Sequence, residues 1–291
     1  MSKITIGLPI VDNVEQLGLA VQSIFAQTFT NWELIIVCDG SPVEVANKAK
    51  KIQDDRVRVI VHRENRGLPV RLNEISELAD SPYVARMDSD DVMHPDRISA
   101  LIQYLEENPD VDVIGSGSYL VNETYQVLGS YNEPRLPKSP YGYLNSGIFS
   151  HPTVAFKKAW ALANPYDPAR VRTEDKELWL RTFAFSNFAK LDDRLLFCMV
   201  PRQLSLRKQA LTASYDRKLI LESGAAIAPK GLVYFKIAQS LSKQAVFFLS
   251  HKLGLIGQIH ATKYSRLDED ELALAQAVLS GVKQVKVPGW E

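Results

Sequence analysis

The sequence predicts an α/β protein: a mostly parallel, Rossmann-like sheet flanked by helices, followed by a helical C-terminal appendage. Three observations predict it. Over residues 1–115 short apolar runs alternate with amphipathic stretches, the rhythm of strands joined by right-handed helical crossovers. Polar punctuation falls where those strands would end, at Pro9 to Asn13, Asp39-Gly40-Ser41, Arg63 to Gly67 and Asp88 to Asp91; such sheets bind ligands at the carboxyl ends of their strands. Beyond Ser116 the rhythm changes, and after Ser214 helical patterns dominate.

Taken in order, Lys3 to Leu8 is the first strand, and Asn13 can cap the next helix with Gln16 at the reciprocal capping-box position. Leu17, Val21, Ile24 and Phe25 recur at helical spacing. Trp32 to Cys38 is a continuous apolar run, as in a strand covered on both faces. Pro42 to Ile52 reads as helix, Val57 to Val61 as strand, and Gly67 precedes a helix carrying Leu68, Leu72, Ile75 and Leu78. Tyr83 to Met87 is the fourth strand, Pro95 to Glu107 a helix and Val111 to Ile114 the fifth strand. Short strands follow at Ser118 to Val121, Val127 to Tyr131 and Thr153 to Phe156, then a helix from Glu174 to about Phe185 and a strand pair around Lys190 to Met199. The expected division is a main domain over 1–212, with a nucleotide-binding half (1–115) and an acceptor-side half (116–212), and the helical appendage over 213–291.

Lys+Arg and Asp+Glu both number 34, so no overall positive field favours nucleic acid. Cys38 and Cys198 sit in apolar runs and read as buried thiols of a reducing compartment. No signal-like N-terminus and no run of about 20 apolar residues is present; the expectation is a cytoplasmic protein. From Met199 to Lys263, however, ten Lys/Arg face two acids, Asp216 and Glu222, with apolar clusters interleaved. That region reads either as a solvated face of a packed appendage or as a peripheral contact with the inner face of an anionic membrane.

The sharpest chemistry lies in Asp88-Ser89-Asp90-Asp91, which follows directly on an apolar strand. Three carboxylates there repel one another unless a cation joins them, and Mg²⁺ or Mn²⁺ takes one or two carboxylates plus phosphate oxygens. The plainer reading is a turn in which Asp90 or Asp91 caps the following helix. Thr173-Glu174-Asp175 opens the later helix; capping and the helix dipole alone account for that triplet. No glycine lies between Pro9 and Glu15, which disfavours the glycine-rich phosphate loop of a nucleotidyltransferase or of a dehydrogenase.

Met87-Asp88-Ser89-Asp90-Asp91 resembles the D-x-D motif of glycosyltransferase family 2, the inverting enzymes of GT-A fold. Other blocks agree in order: Gly7-Leu8-Pro9-Ile10-Val11 with Leu17, Ser23 and Gln27; Glu33 to Ser41; and Asn65-Arg66-Gly67-Leu68-Pro69 with Asn73. The resemblance covers residues 3 to 205 and is nearest in flavour to bacterial surface-polysaccharide enzymes. It implies a metal-dependent transfer of sugar from a nucleotide-diphosphate donor, UDP first among them, to a saccharide or lipid-linked saccharide. By it, Asp39 would read the nucleobase, and Pro9, Ile10 and Val11 would line the base and ribose pocket. Arg66 and Arg71 are candidates for the donor's phosphates or are surface arginines. Asp88, with Ser89, would meet the donor's ribose and the metal's water shell, Asp90 would ligate the metal, and Asp91 would ligate or cap. Asp175, paired with Glu174, would be the catalytic base, and His151 would touch acceptor or diphosphate. Many relatives carry a histidine where this chain reads Val200-Pro201-Arg202-Gln203-Leu204-Ser205; Arg202 is the candidate substitute, holding diphosphate as a fixed cation. That missing histidine leaves one alternative in view, a degenerate relative that binds the donor without turnover.

Overall fold

Strands whose two faces are both covered bury every side chain. In the computed structural model, which describes residues 3–131, 136–137, 139–144, 148–200, 205–253 and 264–290, β1 (Ile4–Ile10) and β2 (Trp32–Asp39) are buried at every position. Between them runs α1 (Val14–Phe25), capped by the Asn13 side chain, which accepts from the N–H groups of Glu15 and Gln16. The capping box is only half made: Gln16 sends its amide to Met199 Sδ at 3.3 Å, not back to the cap. Then follow α2 (Val43–Lys50), β3 (Val57–His62), α3 (Leu68–Leu78) and β4 (Tyr83–Arg86). β5 (Val92–Met93), α4 (Arg97–Glu107), β6 (Val113–Val121) and β7 (Val127–Tyr131) come next. After α5 (Pro140–Tyr143) and a 3₁₀ turn (His151–Thr153) come β8 (Ala155–Lys157), α6 (Lys158–Ala163), α7 (Glu174–Thr182) and β9 (Phe188–Met199). The chain ends with α8 (Leu206–Ile227), α9 (Lys230–Lys252), β10 (Tyr264–Ser265) and α10 (Glu269–Val282).

The sheet runs β10-β7-β6-β8-β4-β1-β2-β3. β3, β2, β1 and β4 are parallel, whereas β8 inserts antiparallel between β4 and β6. β9 lies parallel to β6 and antiparallel to β5. Two expected breaks are absent. Gly115-Ser116-Gly117 interrupts the apolar pattern, yet β6 runs straight through it as one strand. The expected strand pair near Lys190 is the single strand β9. A register shift between Gly115 and Gly117, where β9 carries the polar Asp192-Asp193, absorbs both irregularities.

Strand alternation sorts β2 onto two cores. Leu34, Ile36 and Cys38 join α1, α2 and α4 through Leu17, Val45 and Leu101. Ile35 and Val37 join α3, α7 and α8 through Leu72, Trp179 and Leu219. Both cysteines are buried and unbridged. Position 212/213, the expected start of the appendage, falls inside α8. Past α9 the chain returns to the main body. β10 pairs with β7, and Leu279 and Val282 of α10 pack on Leu19, Val92 and Phe197. Trp290 Nε1 donates to the Lys48 carbonyl of α2 at 2.8 Å. No described helix is long and apolar enough to cross a membrane.

Candidate functional site

Parallel strands deliver their carboxyl ends to one edge, and two carboxylate clusters gather there. The first approach is made by β2, which ends at Asp39. Gly40 follows at φ +68°, and a Cβ there would lie 2.7 Å from the Asn65 nitrogen. Glycine therefore lets the 65–67 segment close on Asp39. Asp39 accepts from the Arg66 N–H (2.9 Å), the Gly67 N–H (2.8 Å) and Arg71 Nε (2.6 Å). Arg71 is buried and also donates to Glu74 and to the Glu64 carbonyl. Its geometry holds Asp39 in place, while the Arg66 side chain is exposed at the rim. Pro9 and Ile10 finish β1 in register with Val37 and Cys38, and Val11 is exposed just beyond.

β4 delivers the aspartates. Asp88, Asp90 and Asp91 offer carboxylate oxygens that all lie within 4.8 Å of one another, with Ser89 half-buried among them. Asp88 accepts from Arg86 Nη2 at 2.7 Å. Asp91 is buried and accepts the Met199 N–H at 2.9 Å. Neither Asp90 nor Asp91 caps the next helix, because α4 starts only after Asp96; that plainer reading of the cluster is excluded. Burial first, then the charge of Asp88, raises the Asp90 pKa. Burial and the charges of Asp90 and Asp88 push Asp91 well above the ordinary carboxylate value. An all-oxygen set with surplus negative charge suits a hard divalent cation.

The second cluster sits at the start of α7. Thr173 occupies the N-cap position, but its hydroxyl makes no capping bond. His151, Glu174 and Asp175 place ligating atoms within 4.8 Å of one another. His151 is buried, shares a 2.9 Å hydrogen bond with the Tyr166 hydroxyl, and is held well below the usual imidazole pKa by burial and by Arg86. It is therefore neutral at pH 7. Burial raises both Glu174 and Asp175. Arg202 lies outside the described residues.

The sequence reading missed Arg86. This guanidinium is buried, and its Nε and Nη1 have no hydrogen-bond partner among the described residues. Its charge lowers the pKa of Asp90, Asp91, Glu174 and Asp175 alike, so the two clusters share one cation. Arg97 supports it from beneath. Arg97 Nη2 donates to the Arg86 carbonyl (2.8 Å) and the Pro152 carbonyl (2.6 Å), tying the exit of β4 to the turn that bears His151. Burial pushes the Arg97 pKa down to about 10. A signal for Arg86 existed, since an arginine inside the otherwise apolar run Tyr83 to Met87 has no packing reason to be there. For Tyr166, in an irregular loop, there was none.

The chain is similar to known proteins in sequence and in fold. A family model described as Glycosyl transferase family 2 matches residues 5–162. The O-antigen biosynthesis glycosyltransferase WbnJ of Escherichia coli is 32% identical over 165 residues, covering 56% of this chain and 65% of that protein. The chain spans 14% and 66% of the length of two further curated relatives. Among solved structures, S. aureus TarS 1-349 in complex with UDP-GlcNAc superposes with a TM-score of 0.57 at 18% identity, covering 98% of this chain and 82% of that one. A mannosyltransferase from Pyrobaculum calidifontis, in complex with GDP-Man and Mn2+, gives a TM-score of 0.61 at 14% identity, covering 97% and 86%.

Proposed function

Because this chain belongs to glycosyltransferase family 2, we propose that it moves a sugar from a nucleoside-diphosphate donor, a UDP-sugar first among them, to an acceptor hydroxyl with inversion. The setting is polysaccharide or glycolipid assembly, with a lipid-linked saccharide as the favoured acceptor. We place the protein in the cytoplasm, against the inner face of the membrane, with residues 1–115 serving the donor and the later segment serving the acceptor. The observation that carries the reading is the pair of clusters, Asp88/Asp90/Asp91 and His151/Glu174/Asp175, gathered around the shared charge of Arg86.

Each cluster then has a chemical task. Asp39, fixed by two backbone N–H groups and Arg71, presents a carboxylate that an imide N–H of the base can donate to. Arg66, exposed at the rim, would meet phosphate. Asp90, with Asp88, would hold Mg²⁺ or Mn²⁺, which when bound neutralises charge on the departing diphosphate. Asp175 removes the proton from the acceptor hydroxyl while that oxygen attacks the anomeric carbon. The bond from the anomeric carbon to the diphosphate breaks on the opposite face, its electron pair leaving with the phosphate oxygen. Glu174 and neutral His151 flank Asp175 and fix its approach, and a raised pKa makes Asp175 a stronger base than an ordinary carboxylate. The Lys176 N–H and the charge of Arg86 oppose that rise.

Calorimetry with UDP, with and without Mn²⁺, followed by a screen of nucleotide sugars for hydrolysis, tests the reading. Metal-dependent UDP binding and turnover of at least one donor are expected. Donor binding with no turnover against a range of acceptors would leave the degenerate binder standing instead.

A further inference from the structure

Asp175 does more than face His151 and Glu174: it also lines a groove of about 980 Å³ between α7, α8 and α9. We propose that this groove receives the acceptor and that the acceptor is an amphiphile, a saccharide carried on a phosphate or diphosphate with an apolar tail. The proposal rests on Asp175 being the base and on the lipid-linked acceptor argued above, and adds the acceptor's site and the residues that would hold its phosphate and tail.

Three features converge. The first is rigidity. Lys176 of α7 pairs with Asp216 of α8, Arg172 Nη1 donates to the Thr212 hydroxyl of α8 at 3.3 Å, and Arg217 of α8 donates to Gln244 of α9 at 2.9 Å. Arg172 itself stands at φ +66°, a left-handed conformation that costs a non-glycine residue free energy and turns the chain sharply into α7. The three helices therefore hold the groove open as a built cleft, with a volume at the upper end of those that take small ligands.

The second feature is charge. Arg172, Arg207 and Lys243 line the groove. Arg207 and Lys243 pair with no described residue, and of the two acids lining the cleft Asp216 is already held by Lys176 and Asp175 is the proposed base. A phosphate or diphosphate supplies what they lack. The third feature is an apolar path leading away from the cations. Val246 (57% exposed) and Phe248 (48% exposed) line the cleft, and Leu249 and Leu253 carry the exposed apolar surface on along α9. Large apolar side chains left in water at helical spacing mark a contact surface. Saccharide at Asp175, phosphate between Arg207 and Lys243, and tail along Val246 and Phe248 is the one arrangement that uses all three. A purely polar acceptor would leave the apolar path unexplained.

The test uses the full chain and farnesyl diphosphate as probe, with farnesol and inorganic pyrophosphate as its two halves, titrated in the presence of saturating UDP and Mn²⁺. Farnesyl diphosphate is expected to bind at least about tenfold more tightly than either half. Val246→Asp, and separately the double change Arg207→Glu with Lys243→Glu, should each weaken it at least about tenfold. These positions are exposed or line the cleft, so melting temperatures should stay near wild type and UDP affinity should not move. The proposal is overturned if the probe fails to bind, if UDP displaces it, or if the variants bind it as wild type does. It is equally overturned if Val246→Asp abolishes flotation with phosphatidylglycerol vesicles, or dissociates a dimer, while farnesyl diphosphate does not bind: the occupant is then a bilayer or a second copy. Loss of UDP binding in the wild type would count against the donor assignment; the variant titrations, repeated without UDP, would still decide the groove.

Discussion

The two ends of the parallel sheet treat buried carboxylates in opposite ways. At the amino end, Glu33 of β2 accepts from Lys3 Nζ (2.8 Å), the Thr5 hydroxyl, the Asp80 N–H (2.8 Å) and the Ser81 hydroxyl (3.2 Å). Burial alone would raise its pKa, yet these bonds outweigh burial and hold it below the usual carboxylate value. At the carboxyl end, burial and mutual repulsion win for Asp90, Asp91, Glu174 and Asp175, all of which are raised. One end is a finished structural network. The other holds negative charge that only a ligand or cation can settle, and it is the end where a site is expected.

Substitutions sharpen this contrast, and the largest effect is expected at Asp175, the proposed base. Asp175→Asn should lower kcat by about 10² to 10⁴-fold with UDP affinity unchanged; steady-state transfer assays alongside calorimetry check it, and transfer at wild-type rate would remove Asp175 from the mechanism. The raised pKa also sets a sign. The base works deprotonated, so rate should fall as pH drops through a value above the ordinary carboxylate range, and that acid limb should move further up in Arg86→Gln, which withdraws a charge that lowers it. Next comes Asp90→Ala, expected to cost UDP affinity about tenfold or more in Mn²⁺ and to leave metal-free affinity nearly unmoved, as titrations with and without chelator would show.

At the structural end, Glu33→Gln should leave kcat intact but destabilise by about 1–3 kcal/mol, since a buried charged acceptor is replaced. Thermal melts read this effect. Its folded pKa is lowered, so its stabilisation is present above the unfolded value and fades as pH falls through the folded one. The smallest effect carries the opposite sign. Asp91→Asn should raise the metal-free melting temperature at pH 7 by a few degrees, for about 1 kcal/mol. Asp91 has a raised folded pKa, so its contribution is favourable below the unfolded value and lost as pH rises through the folded one. A drop in melting temperature for Asp91→Asn would break the contrast between the two ends.

How legible all this was in the sequence follows the same divide. The parallel half shows itself in apolar runs of the right length, and strands β1 to β4 lie within two or three residues of where patterning puts them. The D-x-D cluster and Asp39 are visible because turn-like polar residues end those runs. The antiparallel half hides its order. β6 and β9 contain glycines and paired acids that imitate turns, and only the bulge between them explains why neither strand stops. β8 between β4 and β6 is a long-range pairing that no local pattern encodes. Arg86, Arg97 and Tyr166 escape for a related reason: their roles are set by what surrounds them in space.

Residues 288–290 bear on how the chain folds. Gly289 stands at φ +84°, where a Cβ would sit 1.9 Å from the Lys51 carbonyl. Gln53 N–H donates to the Pro288 carbonyl, and Lys48 lies 4.9 Å from the centroid of the Trp290 ring. The segment that completes the outer face of α2 lies 242 residues later in the chain. Domains usually consolidate from the amino end as synthesis proceeds. Here the outer surface of α2 stays open until residue 290 has emerged and folded back.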